Sequence, residues 1–216
     1  MKANGNISHS SRPWLLLASQ SPRRRDLLDQ YGFEHLAIDP GVDDGLLAAG
    51  EVGPEQWVAS LAYFKAAAGL ERMRAQGREE GGPPPVVIGA DTICVKDGEL
   101  IGQPQDAADA ARIIRLFEND VHEVLTGVAI VSSVTGRRDL FVDKAVVRVG
   151  AIGAKRIEEY VQSGLWKGKA GAYNLSERLE AGWPIEYDGD PTSIMGLPME
   201  ALKNHLSRFQ TLEDAI

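Results

Sequence analysis

The sequence predicts an α/β fold, a mixed, twisted sheet flanked by helices, and three observations carry that expectation. Leu15-Leu16-Leu17-Ala18 and Val86-Val87-Ile88-Gly89-Ala90 are short apolar runs of the kind that strands buried on both faces require. Helical stretches alternate with such runs along the chain. Residues 122–134 and 140–149 are two β-rich runs joined by a Thr135-Gly136 turn, which adds an antiparallel element to the sheet.

Residues 1–14 read as a flexible N-terminal arm, since positions 1–12 are polar and lack the hydrophobic middle of a signal peptide. Residues 15–216 read as a single domain. After the first strand, Ser21 stands as an N-cap with Pro22 at the first helical position. Leu27, Leu28 and Tyr31 form the core face of that helix, which stops at Gly32. Residues 33–39 make a weak strand running into a Pro40-Gly41 turn, and the adjacent acids Asp43 and Asp44 follow. Pro54 opens a helix whose Trp57, Leu61 and Phe64 fall at helical spacing, with Lys65 just beyond them, and the breaker-rich segment 79–85 ends it. The second apolar strand delivers Asp91 and Thr92 at its end, and Asp97-Gly98 reads as a hairpin turn. Asp106 begins a helix through Ile113, Ile114 and Phe117, and another helix spans 154–161 and ends at Gly164. The stretch 165–184 reads as a long loop, and loops of that length in a compact domain are usually functional or mobile. A closing amphipathic helix carries Met199, Leu202, Leu206 and Phe209 as its buried stripe.

Composition narrows the function classes. A chain of 216 residues with 44% hydrophobic content can bury a substantial core, in one large domain or a domain with a small subdomain. No apolar run approaches the length of a membrane span. A net charge of −8 argues against nucleic acid as the main partner. Cys94 is the single cysteine, so an intrachain disulfide and a multi-cysteine zinc site are excluded and a reducing cytoplasm is the default.

The chemistry concentrates in two places. Arg23, Arg24 and Arg25 crowd a helix start, where the dipole already disfavours cations. An anion held there by backbone N–H groups, serine hydroxyls and guanidinium forks removes the conflict, and a phosphate is the natural candidate. Alone, the pattern fits equally three solvated arginines on an exposed turn. Asp91, at the mouth of the core, can bind Mg²⁺ or Mn²⁺ or take a proton from water, or it can simply cap the strand end. Lys65 and Lys169 can neutralise phosphate oxygens, or solvate a helix and a loop. His122 reads as a half-buried polar residue before a strand rather than a base. Neither GxxxxGK[ST] nor GxGxxG occurs, so a P-loop and a dinucleotide fold are not indicated.

Taken together, LASQSPRRRDLL at 17–28, LAYFKA at 61–66, VIGADTICV at 87–95, HEVLTGVAI at 122–130, KAGAY at 169–173 and IMGLPM at 194–199 resemble the Maf-like nucleoside triphosphate pyrophosphatases, the septum formation inhibitor family. Each piece is unspecific; their order along nearly the whole chain is not. The resemblance implies hydrolysis of a nucleoside triphosphate between the α and β phosphates with a divalent metal, Mg²⁺ or Mn²⁺. It also implies two lobes around a central cleft, commonly in a homodimer; that neither a nucleic acid polymer nor a membrane is a partner is expected from the charge and the lack of a long apolar run. By the same resemblance Ser19, Arg23 and Arg24 hold the phosphates, Lys65 and Lys169 add charge, and Thr92 touches the substrate. Asp91 is then the general base or a metal-linked carboxylate, with Asp44 as the second carboxylate. Three positions depart from the family pattern. Asp44 replaces a glutamate, Gln103 replaces a lysine, and Ser176, next to Glu177, replaces a glutamine that helps choose the base. A nucleotide-binding regulator with little turnover is therefore the second reading, and a phosphatase or kinase using the arginine turn a third. The retained Lys65, Asp91, Thr92 and Lys169 favour the enzyme.

Overall fold

A computed structural model describes residues 14–42, 47, 49–76 and 86–213. Its centre is β3 (Val86–Lys96), an eleven-residue strand buried along almost its whole length. On one edge β3 pairs antiparallel with β5 (Asp120–Ser132), which pairs antiparallel with β6 (Arg138–Val149), and β6 with β7 (Ile185–Asp188). On its other edge β3 takes two partners in succession. β1 (Leu15–Ala18) runs parallel along Val86 to Gly89, and β4 (Glu99–Ile101) runs antiparallel along Cys94 to Lys96. β2 (His35–Ile38) adds a second parallel pair outside β1. The result is a seven-stranded mixed, twisted sheet in the order β2-β1-β3-β5-β6-β7, with β4 beside β3, as the apolar runs predict.

This arrangement corrects one expectation and sharpens it. Asp91 and Thr92 do not end a strand; they lie in the middle of β3. What ends there is β1, whose Ala18 pairs with Gly89. Between Gly89 and Cys94 no described strand runs alongside that edge of β3, so the sheet has a notch at Asp91 and Thr92. Side chains alternate across a strand, so the notch is reached by residues from both sheet faces. Asp91 therefore shares a face with Val87 and Ile93, whereas Thr92 shares the other with Ile88 and Ala90.

Helices cover both faces. α2 (Pro54–Ala75) lies on the Asp91 side and buries Val58, Leu61, Ala62, Lys65, Ala66, Gly69 and Leu70. The expected stripe is thus rotated: Leu61 is inside, but Phe64 is 48% exposed. Small residues let α2 approach the sheet closely. A Cβ on Gly89 would stand 2.1 Å from the Ala62 carbonyl oxygen, and one on Gly127 2.6 Å from that of Val58. On the Thr92 side, α1 (Pro22–Gln30) buries Leu27 and Leu28, while Tyr31 turns out to be 40% exposed just past its end. The closing helix α7 (Met199–Glu213) buries Met199, Leu202, Leu206 and Phe209 in the same cluster, as expected.

A further cluster forms where β3 and β5 run past the notch, packed by α3 (Ala107–Phe117) and α4 (Ala154–Ser163). Asp106 caps α3 by accepting from the Asp109 N–H, and Gly164 closes α4 in the left-handed conformation. The Asp97-Gly98 hairpin turn forms, both residues having positive φ. The expected loop at 165–184 is more ordered than its composition suggests. It holds a 3₁₀ turn, Ala170–Ala172, and α5 (Leu175–Glu180), capped by the Asn174 side chain. β7 and the short α6 (Pro191–Ile194) have too few residues to leave a period in the sequence. Asp43, Asp44 and the segment 79–85 lie outside the described residues. Among those described, no helix is long and apolar enough to cross a membrane.

Candidate active site

The notch in β3 opens into a cleft lined by Ser21, Arg23, Arg24, Lys65, Asp91, Thr92 and Gly196, and on its far side by Gln103, Gly168, Tyr173 and Asn174. The start of α1 supplies the arginines, β3 supplies Asp91 and Thr92, and α2 supplies the lysine. Lys65 comes from the buried face of α2, four residues after Leu61, and its Nζ donates to Asp91 Oδ1 at 2.6 Å.

The three arginines separate. Arg25 is exposed on α1. Arg24 is buried and ties three segments together: Nε donates to the Gly196 carbonyl at 2.7 Å, one terminal nitrogen to Ser19 Oγ at 3.2 Å and the other to Thr92 Oγ1 at 3.1 Å. Thr92 continues the chain to Thr126 Oγ1 at 3.0 Å, and Thr126 donates to the Ser193 carbonyl at 2.8 Å. Arg23 is half-buried and reaches the Gly168 carbonyl at 3.3 Å. Burial holds its guanidinium below the ordinary arginine range, with Glu177 acting in the opposite direction. Ser21 occupies the N-cap position without a side-chain cap bond; its N–H instead donates to Ser19 Oγ at 3.2 Å. The helix start is therefore built around two inward-facing cations, and Ser19 holds one of them in place.

The far wall is the turn at 168–174. Gly171 and Ala172 both have positive φ, 66° and 64°. Gly171 backs onto Cys94, where a Cβ would lie 2.5 Å from Sγ, so a side chain does not fit. Ala172 is a non-glycine residue in a strained region, held there by Tyr160, whose hydroxyl donates to the Ala172 carbonyl at 2.8 Å. Tyr173 hydrogen-bonds His122 Nε2 at 2.9 Å. His122 is far more buried than its place before the β-rich run suggests. It stacks on Phe117 with centroids 3.8 Å apart, and desolvation pushes its pKa down to about 3, so the ring is neutral. A neutral imidazole locked in the core does not serve as a base at the cleft.

Lys169 is buried and pairs with Glu177 of α5; burial lowers its pKa while Glu177 raises it. Ser176 stays outside this group: it is exposed, and its hydroxyl donates to Asn174 Oδ1 at 2.8 Å. Asn174 itself lines the cleft. The structure thus brings Ser19, Arg23, Arg24, Lys65, Asp91 and Thr92 together around the notch, with Lys169 behind the far wall. Sequence reasoning missed Asn174, Thr126 and Tyr173. The signal for Asn174 was available, since an Asn before Leu175 and Glu177 is a helix-capping pattern. No group of three or more His, Cys, Asp or Glu side chains able to hold a metal occurs among the described residues.

Comparisons with known proteins agree with the motif reading. The family described as Maf-like protein matches residues 14–209. The dTTP/UTP pyrophosphatase of Cupriavidus metallidurans is 39% identical over 189 residues, covering 86% of this chain and 91% of that protein. The dTTP/UTP pyrophosphatase of Symbiobacterium thermophilum is 36% identical over 196 residues, or 90% and 93% of the two chains. A solved structure, the nucleoside-triphosphatase / dITP/XTP pyrophosphatase of Mycobacterium abscessus, overlays with a TM-score of 0.39 at 16% identity over 65% of this chain and 76% of that one, too distant to carry anything across. With the family match and these curated relatives spanning the whole sheet and every wall of the cleft, the chain belongs to the Maf-like protein family.

Proposed function

We propose that this protein hydrolyses nucleoside triphosphates to the nucleoside monophosphate and pyrophosphate. The observation that carries the reading is the Lys65–Asp91 pair set in the notch of β3, with Arg23 and Arg24 facing it from the start of α1. A triphosphate carries several negative charges, and displacement at phosphorus is mainly positioning and charge neutralisation. In this reading Ser19, Arg23, Arg24, Lys65 and Lys169 hold the phosphate chain and Thr92 touches it. Asp91 accepts the proton of the attacking water as the water oxygen bonds to the α-phosphorus. The α–β bridging P–O bond breaks, and pyrophosphate leaves.

Asp91 in the cleft is a carboxylate that a divalent cation can use. Mg²⁺ is commonly bound by one or two carboxylates together with substrate phosphates rather than by an all-protein cage; Asp91 would be one such carboxylate, and the resemblance implies Asp44, outside the described residues, as the second. When bound, the cation neutralises developing charge on the phosphate oxygens.

The relatives' names point to dTTP and UTP as the substrates to test first. Asn174, in the cleft, and Ser176, bonded to it, are the polar groups we assign to the base edge. The reading includes one domain over 15–216 in two lobes, a homodimer and a cytoplasmic setting. Gln103 in the cleft, neutral where the resemblance expects lysine, is the observation that favours a nucleotide-binding regulator instead. Pyrophosphate release from dTTP, UTP, CTP and 7-methyl-GTP, with and without Mg²⁺ or Mn²⁺, separates the two: binding without release selects the regulator.

A further inference from the structure

Helix α5 carries a carboxylate into the neighbourhood of the cations on the far wall. Glu177 sits in its first turn and accepts from Lys169 Nζ, while a terminal nitrogen of Arg178 lies 3.8 Å from the same carboxylate oxygen. The Lys169 side chain is 8% exposed and that of Glu177 38%, so the lysine is embedded and its partner stands at the surface. Arg178 is buried between Tyr160 and Trp183, 4.4 and 5.3 Å from their ring centroids, and its Nε has no hydrogen-bond partner. Arg23, on the cleft wall, also feels the Glu177 charge. Lys169 and Arg178 therefore share Glu177 as counter-ion.

We propose that Glu177 is an internal competitor of the substrate's phosphates, the residue that sets how tightly the phosphate chain is held. This inference rests on the pyrophosphatase reading and deepens it. A carboxylate and a phosphate oxygen satisfy the same ammonium, and an ionised carboxylate has no proton to donate to the newcomer. A phosphate that reaches Lys169 must displace Glu177 or lie beside it against like-charge repulsion. Either way, part of the attraction of Lys169 for a polyanion is already committed in the free protein. The arrangement limits affinity for every ligand carrying linked phosphates, the pyrophosphate product included.

The test is Glu177→Gln in the full-length chain, with two readouts: KM for dTTP and UTP, and the competitive inhibition constant of inorganic pyrophosphate. Both are expected to fall by roughly three- to tenfold, the scale of one partly exposed charged contact. Constants that stay the same or rise in a folded E177Q protein overturn the proposal, because Glu177 would then be positioning Lys169 for the substrate. Glu177→Ala carries the same expectation should the glutamine variant fail to fold. Failure of the underlying reading looks different: wild-type protein releases no pyrophosphate from any triphosphate. Active wild type with an indistinguishable E177Q sinks the competitor role alone.

Discussion

Lys65 Nζ lies 2.6 Å from Asp91 Oδ1, and the two side chains are only 11% and 8% exposed. Burying a charge pair costs desolvation that the attraction between the charges often fails to recover, so such a pair is weak evidence of stabilisation. Its position explains it better. The pair stands where β1 stops and a ligand can reach β3.

Asp91→Asn is expected to keep the fold and lose turnover by about 100-fold or more, the scale of a removed general base. Pyrophosphate release measures the loss. A thermal shift on adding triphosphate checks that binding survives. Near-native turnover in a folded variant would remove Asp91 from the catalytic role.

Neighbouring arginines are expected to behave differently. Arg24→Ala removes the donor to Ser19, Thr92 and Gly196 and should cost about 2–4 kcal/mol of stability. Arg23→Ala should raise KM for triphosphate while leaving the free protein as stable or slightly more so, since it relieves an unfavourable dipole interaction of roughly 0.3–1 kcal/mol. Paired denaturation and kinetic curves decide it. An Arg23 variant with unchanged kinetics would make that side chain a bystander.

The first strand, the arginine turn and the Asp91-Thr92 step were legible because each carries a local signal: an apolar run, a charge at odds with a dipole, a carboxylate beside a core. The notch was not legible. It depends on where β1 stops relative to β3, and nothing near residue 91 records that Ala18 is the last partner. The same limit explains the misread face of α2. Phe64 looks like core by size, but the helix meets the sheet through the backbone of Val58 and Ala62, which stands directly over Gly127 and Gly89. Ser176 and Glu177 were placed by resemblance, and only coordinates could separate a residue bonded to Asn174 from one holding Lys169.

His122 makes stability pH-dependent. Its folded pKa of about 3 lies below the ordinary 6.5, so the unfolded chain takes up the proton first. Stability from this residue is fully present above pH 6.5 and is lost as pH falls toward 3, at up to roughly 1.4 kcal/mol per pH unit. Melting temperature should fall on acidification through this window, and less steeply in His122→Asn, once the shallower slope is compared at matched starting stability. Parallel profiles would mean that other groups dominate acid unfolding.

Ser176→Gln is expected to sharpen the preference for dTTP and UTP over CTP and 7-methyl-GTP, because a carboxamide both donates to and accepts from a base edge. The kcat/KM values of the four substrates in both proteins provide the comparison. Identical rankings would place position 176 away from the base.

Gly89→Ala should destabilise by at least about 1–3 kcal/mol, since the new methyl meets the backbone of α2 at Ala62 and Ala66 rather than a movable side chain. The same shift moves Lys65, so kcat/KM should fall in the protein that still folds. A variant with wild-type melting and kinetics would show that α2 can retreat without consequence.

An interrupted strand edge is ordinarily a hazard, since exposed edges recruit strands from other molecules and seed aggregation. Here the interruption is only as long as the gap between Gly89 and Cys94, and β1 and β4 stand at its two ends like closed brackets. A foreign strand would have to fit between the ends of β1 and β4 to pair there. A small ligand need not pair, so the gap discriminates by size before any side chain is consulted.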